Sequence, residues 1–104
     1  MLWGTTFTNE NKGVINNIGS LQNIDGGTIK NYGKINNKAA GTIYNDFDCG
    51  QSCVNTIVNY GKINNQGSFE NHGSFVLPCR GHFNDSGSYT GNQPLVEGCV
   101  KKQV

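Results

Sequence analysis

A six-residue unit recurs through most of this chain, and it leaves few folds open. From Gly13 to Asn45 the sequence reads GVINNI, GSLQNIDG, GTIKNY, GKINNKAA and GTIYND. The unit returns as NTIVNY, GKINNQ and GSFENH, then loosens through GSFVLPCR, GHFNDS and GSYTGN. A large apolar residue in third place, between polar second and fourth places, is the pattern of a short strand with one face buried. The predicted inward set is Ile15, Leu21, Ile29, Ile35, Ile43, Ile57, Ile63, Phe69, Phe75, Phe83 and Tyr89. Gly opens each unit and Asn stands fifth; both tolerate the left-handed backbone of a sharp corner. Strand and corner repeated at this period predict an all-β, single-domain, parallel right-handed β-solenoid of short coils.

The fifth-place residues are Asn17, Asn23, Asn31, Asn37, Asn45, Asn59, Asn65 and Asn71. They are expected to stack coil upon coil, each amide bonding to those above and below and so satisfying buried polar groups. Units begin at 13, 19, 27, 33, 41, 47, 55, 61, 67, 73, 81 and 87, with two extra residues on alternate units over much of the run. That alternation favours a two-faced coil with its insertions at one corner, over a three-faced coil that scatters them. The second NYGKINN, at 59–65, would then lie two coils beyond the first, at 31–37. Residues 1–12 fit the unit poorly, with Gly4–Asn9 one residue out of step, and are expected to form a cap or joint. The repeat fills 13–91, and 92–104 form a cap or tail in which Lys101 and Lys102 would protect a strand edge.

The chain has 104 residues, 15 of them Gly, with 35% apolar and 14% charged residues and a net charge of +1. So weak a charge favours neither nucleic-acid binding nor disorder by repulsion, and no apolar run is long enough to insert into a membrane. Met1, Leu2 and Trp3 lead straight into Gly4 and Thr5 with no basic start, so if the protein is exported the sequence reads as a mature or a trimmed chain. Four cysteines, Cys49, Cys53, Cys79 and Cys99, in a small core-poor chain point to disulfides and an oxidising, extracellular compartment. Their spacing lacks the paired clusters of a zinc site. The favoured pairing is Cys49–Cys53, closing a loop over 47–54, with Cys79–Cys99; Cys53–Cys79 is the rival.

The G-x-[IF]-x-N units over residues 13–90 resemble the Asn- and Gly-rich hexapeptide-like repeats of archaeal and bacterial cell-surface proteins. They are also similar to the repeats of filamentous-haemagglutinin-type adhesins. The resemblance implies a right-handed β-solenoid at a cell surface, and an adhesin role among others.

No catalytic constellation is visible. Asp46 and Asp48 straddle one corner, but such a pair is more often a solvated turn than an acid–base or calcium site. His72 and His82 read as surface residues, no phosphate loop is present, and no metal or cofactor is expected. A Thr row through Val14, Thr28, Thr42, Thr56, Ser68 and His82 raises ice binding, but its neighbouring column is mixed and charged. Tyr32, Tyr44, Tyr60 and Tyr89 could line a strip for surface glycans, and Asn84-Asp85-Ser86 is a glycosylation sequon. Neither terminal segment reads as a convincing cap. The leading expectation is therefore a non-enzymatic extracellular protein whose copies stack end to end, or exchange strands, into a filament. Its joint residues would be Trp3 and Phe7 at one end, with Leu95 and Val96 at the other.

Overall fold

A computed structural model of the chain describes residues 5–98. Those residues form strands and turns without a helix: β1 Thr6–Asn9, β2 Val14–Asn17, β3 Ser20–Asn23, β4 Thr28–Asn31, β5 Lys34–Asn37, β6 Thr42–Asn45, β7 Thr56–Asn59, β8 Lys62–Asn65, β9 Ser68–Asn71, β10 Ser74–Leu77, β11 His82–Asp85, β12 Ser88–Gly91 and β13 Leu95–Val96. They line up in three parallel sheets. The first runs β1-β4-β7-β10-β13, the second β2-β5-β8-β11 and the third β3-β6-β9-β12. The chain is a parallel β-solenoid, as its repeat requires.

The coil has three faces, which corrects the two-faced expectation. Each turn of the spiral visits all three sheets in order, so the two NYGKINN segments, in β4–β5 and β7–β8, lie one coil apart. The extra residues do not sit at one corner. Each pair is looped out of the path by a tight turn, closed by Gly13 N to Glu10 O (2.8 Å), Gly27 N to Ile24 O (3.1 Å), Gly41 N to Lys38 O (2.8 Å) and Gly81 N to Pro78 O (2.8 Å). A turn that closes on itself leaves the strand register unchanged, so insertions are tolerated at any corner. They occur at all three.

Register puts like on like. Ile29 pairs with Ile57 and Asn31 with Asn59, while Ile35 pairs with Ile63 and Asn37 with Asn65. The first rung extends the repeat upstream, because β1 pairs with β4 through Phe7↔Ile29 and Asn9↔Asn31. Ile29, Ile35, Ile43, Ile57, Ile63, Phe69 and Phe75 are only 0–2% exposed. Each such side chain contributes about 1.5–3 kcal/mol by leaving water. Ile15, Leu21, Phe83 and Tyr89 are partly buried against this core. They belong to the end coils, where a covering rung is present on one side only.

The fifth-place amides form three ladders. Nδ2 of one coil donates to Oδ1 of the next: Asn9 to Asn31 (2.9 Å) and Asn31 to Asn59 (2.8 Å); Asn17 to Asn37 (2.8 Å) and Asn37 to Asn65 (2.7 Å); Asn23 to Asn45 and Asn45 to Asn71 (both 2.9 Å). The second N–H turns to corner carbonyls such as Lys62 O, Ser68 O and Ser74 O. Buried amides would otherwise be costly; in the middle coils each is held on two sides.

The corner glycines have a different cause from the one expected. Among the described residues, positive φ occurs only at Lys12, Asp25, Gly26, Gly50 and Gly91, so neither the unit-opening glycines nor the ladder asparagines are left-handed. The reason is close approach. A Cβ on Gly61 would run into the Gly33 carbonyl oxygen of the coil before it. At corners such as Gly33, Gly61 and Gly67 the coils meet backbone to backbone and a Cβ would not fit.

The unit that breaks the pattern is a loop between β6 and β7, with one antiparallel bridge between Gly50 and Cys53. Cys49 and Cys53 are disulfide-bonded with Cα atoms 5.1 Å apart. That excludes Cys53–Cys79. Cys79 is itself disulfide-bonded, and its expected partner Cys99 lies outside the described residues. After Gly91 the chain continues the spiral as β13, the fifth strand of the first sheet, parallel to β10 with Val96 opposite Leu77.

Candidate functional site

Three surfaces gather the chemistry-bearing residues. One is formed by the ends of the spiral. At the N-terminal end, β1, β2 and β3 are the edge strands, and Phe7 of β1 is 42% exposed. At the C-terminal end, β13, β11 and β12 are the edges, with Leu95 and Val96 at 60% and 74% exposure. Trp3, the fourth expected joint residue, lies outside the described residues. The Oδ1 of Asn23, in the first rung of the third sheet, is buried without a hydrogen-bond partner. In later coils the corresponding Oδ1 accepts from the Nδ2 of the coil before, as in Asn23 to Asn45.

A second group lies beside the cysteine loop. His72 stacks on Phe47 with centroids 4.1 Å apart, meets Tyr44 edge-on, and lies 3.8 Å from Glu70. Asp46 Oδ1 accepts from the Tyr44 hydroxyl (3.1 Å) and the Phe47 N–H (2.8 Å), while Asp48 Oδ1 accepts from the Asn55 N–H (3.0 Å). Both carboxylates thus shape the loop. Desolvation, then the hydrogen bond and charge of Asp46, raise the Tyr44 pKa above the ordinary 10.0. No three His, Cys, Asp or Glu side chains among the described residues gather as metal ligands would.

Asn55 was missed in the sequence because it occupies a Gly place. It is fully buried, accepts from Gly26 N (2.8 Å), and donates to Phe47 O (2.9 Å) and Asp46 O (3.2 Å). It ties the loop to the coil.

The third surface is the outside of the second sheet. Its second places are Val14, Lys34, Lys62 and His82, and its fourth places are Asn16, Asn36, Asn64 and Asn84. The outer amides form a fourth ladder, with 2.9 Å bonds from Asn36 to Asn16, Asn64 to Asn36 and Asn84 to Asn64. Beside it, at the corner with the first sheet, runs an open groove of about 390 Å³ that includes Lys12, Tyr32, Lys34, Lys62, Arg80 and His82 in its walls. Tyr32 and Tyr60 stack there, 4.8 Å apart and nearly parallel. Three faces also break up the anticipated Thr row. Val14 and His82 fall on the second sheet, Thr28 and Thr56 on the first, and Thr42 and Ser68 on the third. Of the other tyrosines in the supposed glycan strip, Tyr44 lies on the third sheet and Tyr89 is partly buried against the core.

Over the described residues, geometry and chemistry together define a disulfide-bearing β-solenoid with sheet-edge strands at both ends and a cationic, amide-rich face. Comparison with protein-family models, with curated proteins and with solved structures finds no match to the chain.

Proposed function

We propose that the protein is a structural, non-enzymatic component of an extracellular surface, and that its copies add end to end into a filament. One observation carries the reading: large apolar side chains are exposed at both ends of the spiral, Phe7 of β1 at 42% and Leu95 and Val96 of β13 at 60% and 74%. The end strands also present edge N–H and C=O groups, which pair readily with another strand. All described rungs are parallel, so one copy set on another in the same orientation would continue the first sheet from β13 to β1. Such a contact joins unlike surfaces and therefore propagates rather than closes. Phe7 of one copy would meet Leu95 and Val96 of the next. The Cys49–Cys53 disulfide supports placement in an oxidising compartment.

Sedimentation at rising concentration, under non-reducing conditions, tests the reading. Growing mass that Phe7→Asp and Val96→Asp each abolish is expected. A fixed monomer mass would overturn it.

A further inference from the structure

We propose that the outer face of the second sheet, together with the groove along its leading corner, binds an acidic polysaccharide. The inference is independent of end-to-end assembly, because the face is on the flank of the spiral.

Charge is sorted unevenly over the molecule. Of the eight Lys and Arg residues, Lys12, Lys34, Lys62 and Arg80 line this one groove, and no Asp or Glu does. The carboxylates of Asp46, Asp48 and Glu70 lie on the third sheet and the cysteine loop, while Glu10 shares a turn with Lys12 and Asp85 ends β11 without lining the groove. Lys34 is directly paired with Lys62, and Lys62 with His82. Like charges directly opposite one another destabilise a sheet. Among the described residues the only ion pair is His72–Glu70, so no acid among them is in ion-pair contact with Lys34 or Lys62. An external polyanion would.

The spacing selects the kind of polyanion. Successive coils place a cation on each of four rungs: Lys12 before β2, Lys34 on β5, Lys62 on β8, and Arg80 before β11. Rungs are about 4.8 Å apart, close to the advance of a sugar chain per pyranose ring. Two residues along each strand, on the same outer face and about 6.6 Å away, stands the outer amide ladder. Each inner amide of that ladder spends one N–H and one lone pair on its neighbours, so a second N–H and a second lone pair remain. Cations beside a row of spare amide donors and acceptors suit a chain that carries both anionic groups and hydroxyls.

Single-stranded nucleic acid fits less well. It is held by aromatic faces on which bases stack, whereas Tyr32 and Tyr60 have closed their facing sides on each other.

The test uses the whole chain and immobilised probes: dextran sulfate, polygalacturonate, neutral dextran and single-stranded DNA, at about 0.05 M and about 0.15 M salt, where screening differs. Retention on one or both acidic polysaccharides and not on neutral dextran is expected, weakening with salt; which of the two binds separates sulfate from carboxylate recognition. The double substitution Lys34→Gln with Lys62→Gln should weaken retention at least tenfold, with the melting temperature unchanged or raised. A charge-matched control on the third sheet, Gln22→Glu with Thr90→Glu, should change it less than twofold. Failure to bind either acidic polysaccharide would overturn the proposal. So would equal losses in the two doubles, which would reduce the effect to net charge, or tighter retention on DNA.

Discussion

The two ends of the spiral are built from the same unit and are chemically unlike. At the N-terminal end the ladder residues are Asn9, Asn17 and Asn23, each donating Nδ2 onward into the coil. At the C-terminal end the fifth places hold Leu77, Asp85 and Gly91. There the last ladder donors close on other acceptors: Asn59 on His82 O (2.8 Å), Asn65 on Asp85 Oδ1 (2.9 Å) and Asn71 on Asn92 O (2.9 Å). A carboxylate accepts and cannot donate, so Asp85 ends its column. The cores differ as well. Ile15, Leu21, Ile29, Ile35 and Ile43 fill the early coils, whereas Phe69, Phe75, Phe83 and Tyr89 pack ring against ring in the late ones.

The contrast teaches that the inner amide ladders have one direction, opposite to that of the outer ladder. An inner ladder enters each coil at Oδ1 and leaves at Nδ2. A head-to-tail joint therefore brings acceptors such as Asn17 Oδ1 against an end whose ladder side chains offer no donor. Backbone pairing and the Phe7, Leu95 and Val96 contact must hold that joint.

The largest effect should come from moving the terminating carboxylate to the middle. Asn45→Asp replaces a buried amide that bonds Asn71, Ser74 and Asn55. At neutral pH it should cost about 3–5 kcal/mol, as breaking a buried polar pair does, measured by urea unfolding. Desolvation raises that carboxyl's folded pKa above its unfolded value. The loss should therefore shrink as pH falls into the range where the acid is neutral in the fold. Unchanged stability of this variant at neutral pH would refute a closed ladder.

Phe75→Ala, at a fully buried late-coil position, should cost about 3–5 kcal/mol; Phe7→Ala at the open end should cost less than about 1.5 kcal/mol in the monomer. Equal costs by calorimetry would mean that Phe7 is covered in the isolated chain.

Asp85→Asn keeps the acceptor used by Asn65 and Gly87 and adds a donor facing the open end. Monomer stability should barely move, while association tightens about fivefold, the worth of one hydrogen bond near 1 kcal/mol. Unchanged association would mean that the second-sheet column does not face another copy.

The smallest effect concerns Tyr44. Its folded pKa is raised, chiefly by desolvation and then by Asp46. The stability this gives is present below the unfolded pKa near 10 and lost as pH rises through the folded value. Tyr44→Phe should flatten the alkaline limb of the denaturation midpoint.

Strands, core and inner ladders were legible because one residue type per place carries each of them: Ile or Phe third, Asn fifth. The number of faces was not, for two reasons. Looped-out pairs such as Ala39-Ala40 change the spacing without adding a rung, and Phe47–Val54 occupies the length of a unit but forms a loop. With that segment removed, a signal emerges that could have found the third face. The doublets Asn16-Asn17, Asn36-Asn37 and Asn64-Asn65, with Asn84-Asp85, fall on every third strand, β2, β5, β8 and β11. The cationic face follows from the same count, since Lys34 and Lys62 are neighbours only in a three-faced coil. Corner glycines were placed correctly for the wrong reason, because close approach of carbonyls from another coil is not visible from one chain segment.

Electron microscopy of the oxidised protein at high concentration puts the end-to-end account to the question most directly. Unbranched filaments that lengthen with Asp85→Asn and vanish with Val96→Asp are predicted. Single particles of monomer size in the parent chain and in Asp85→Asn alike would contradict it.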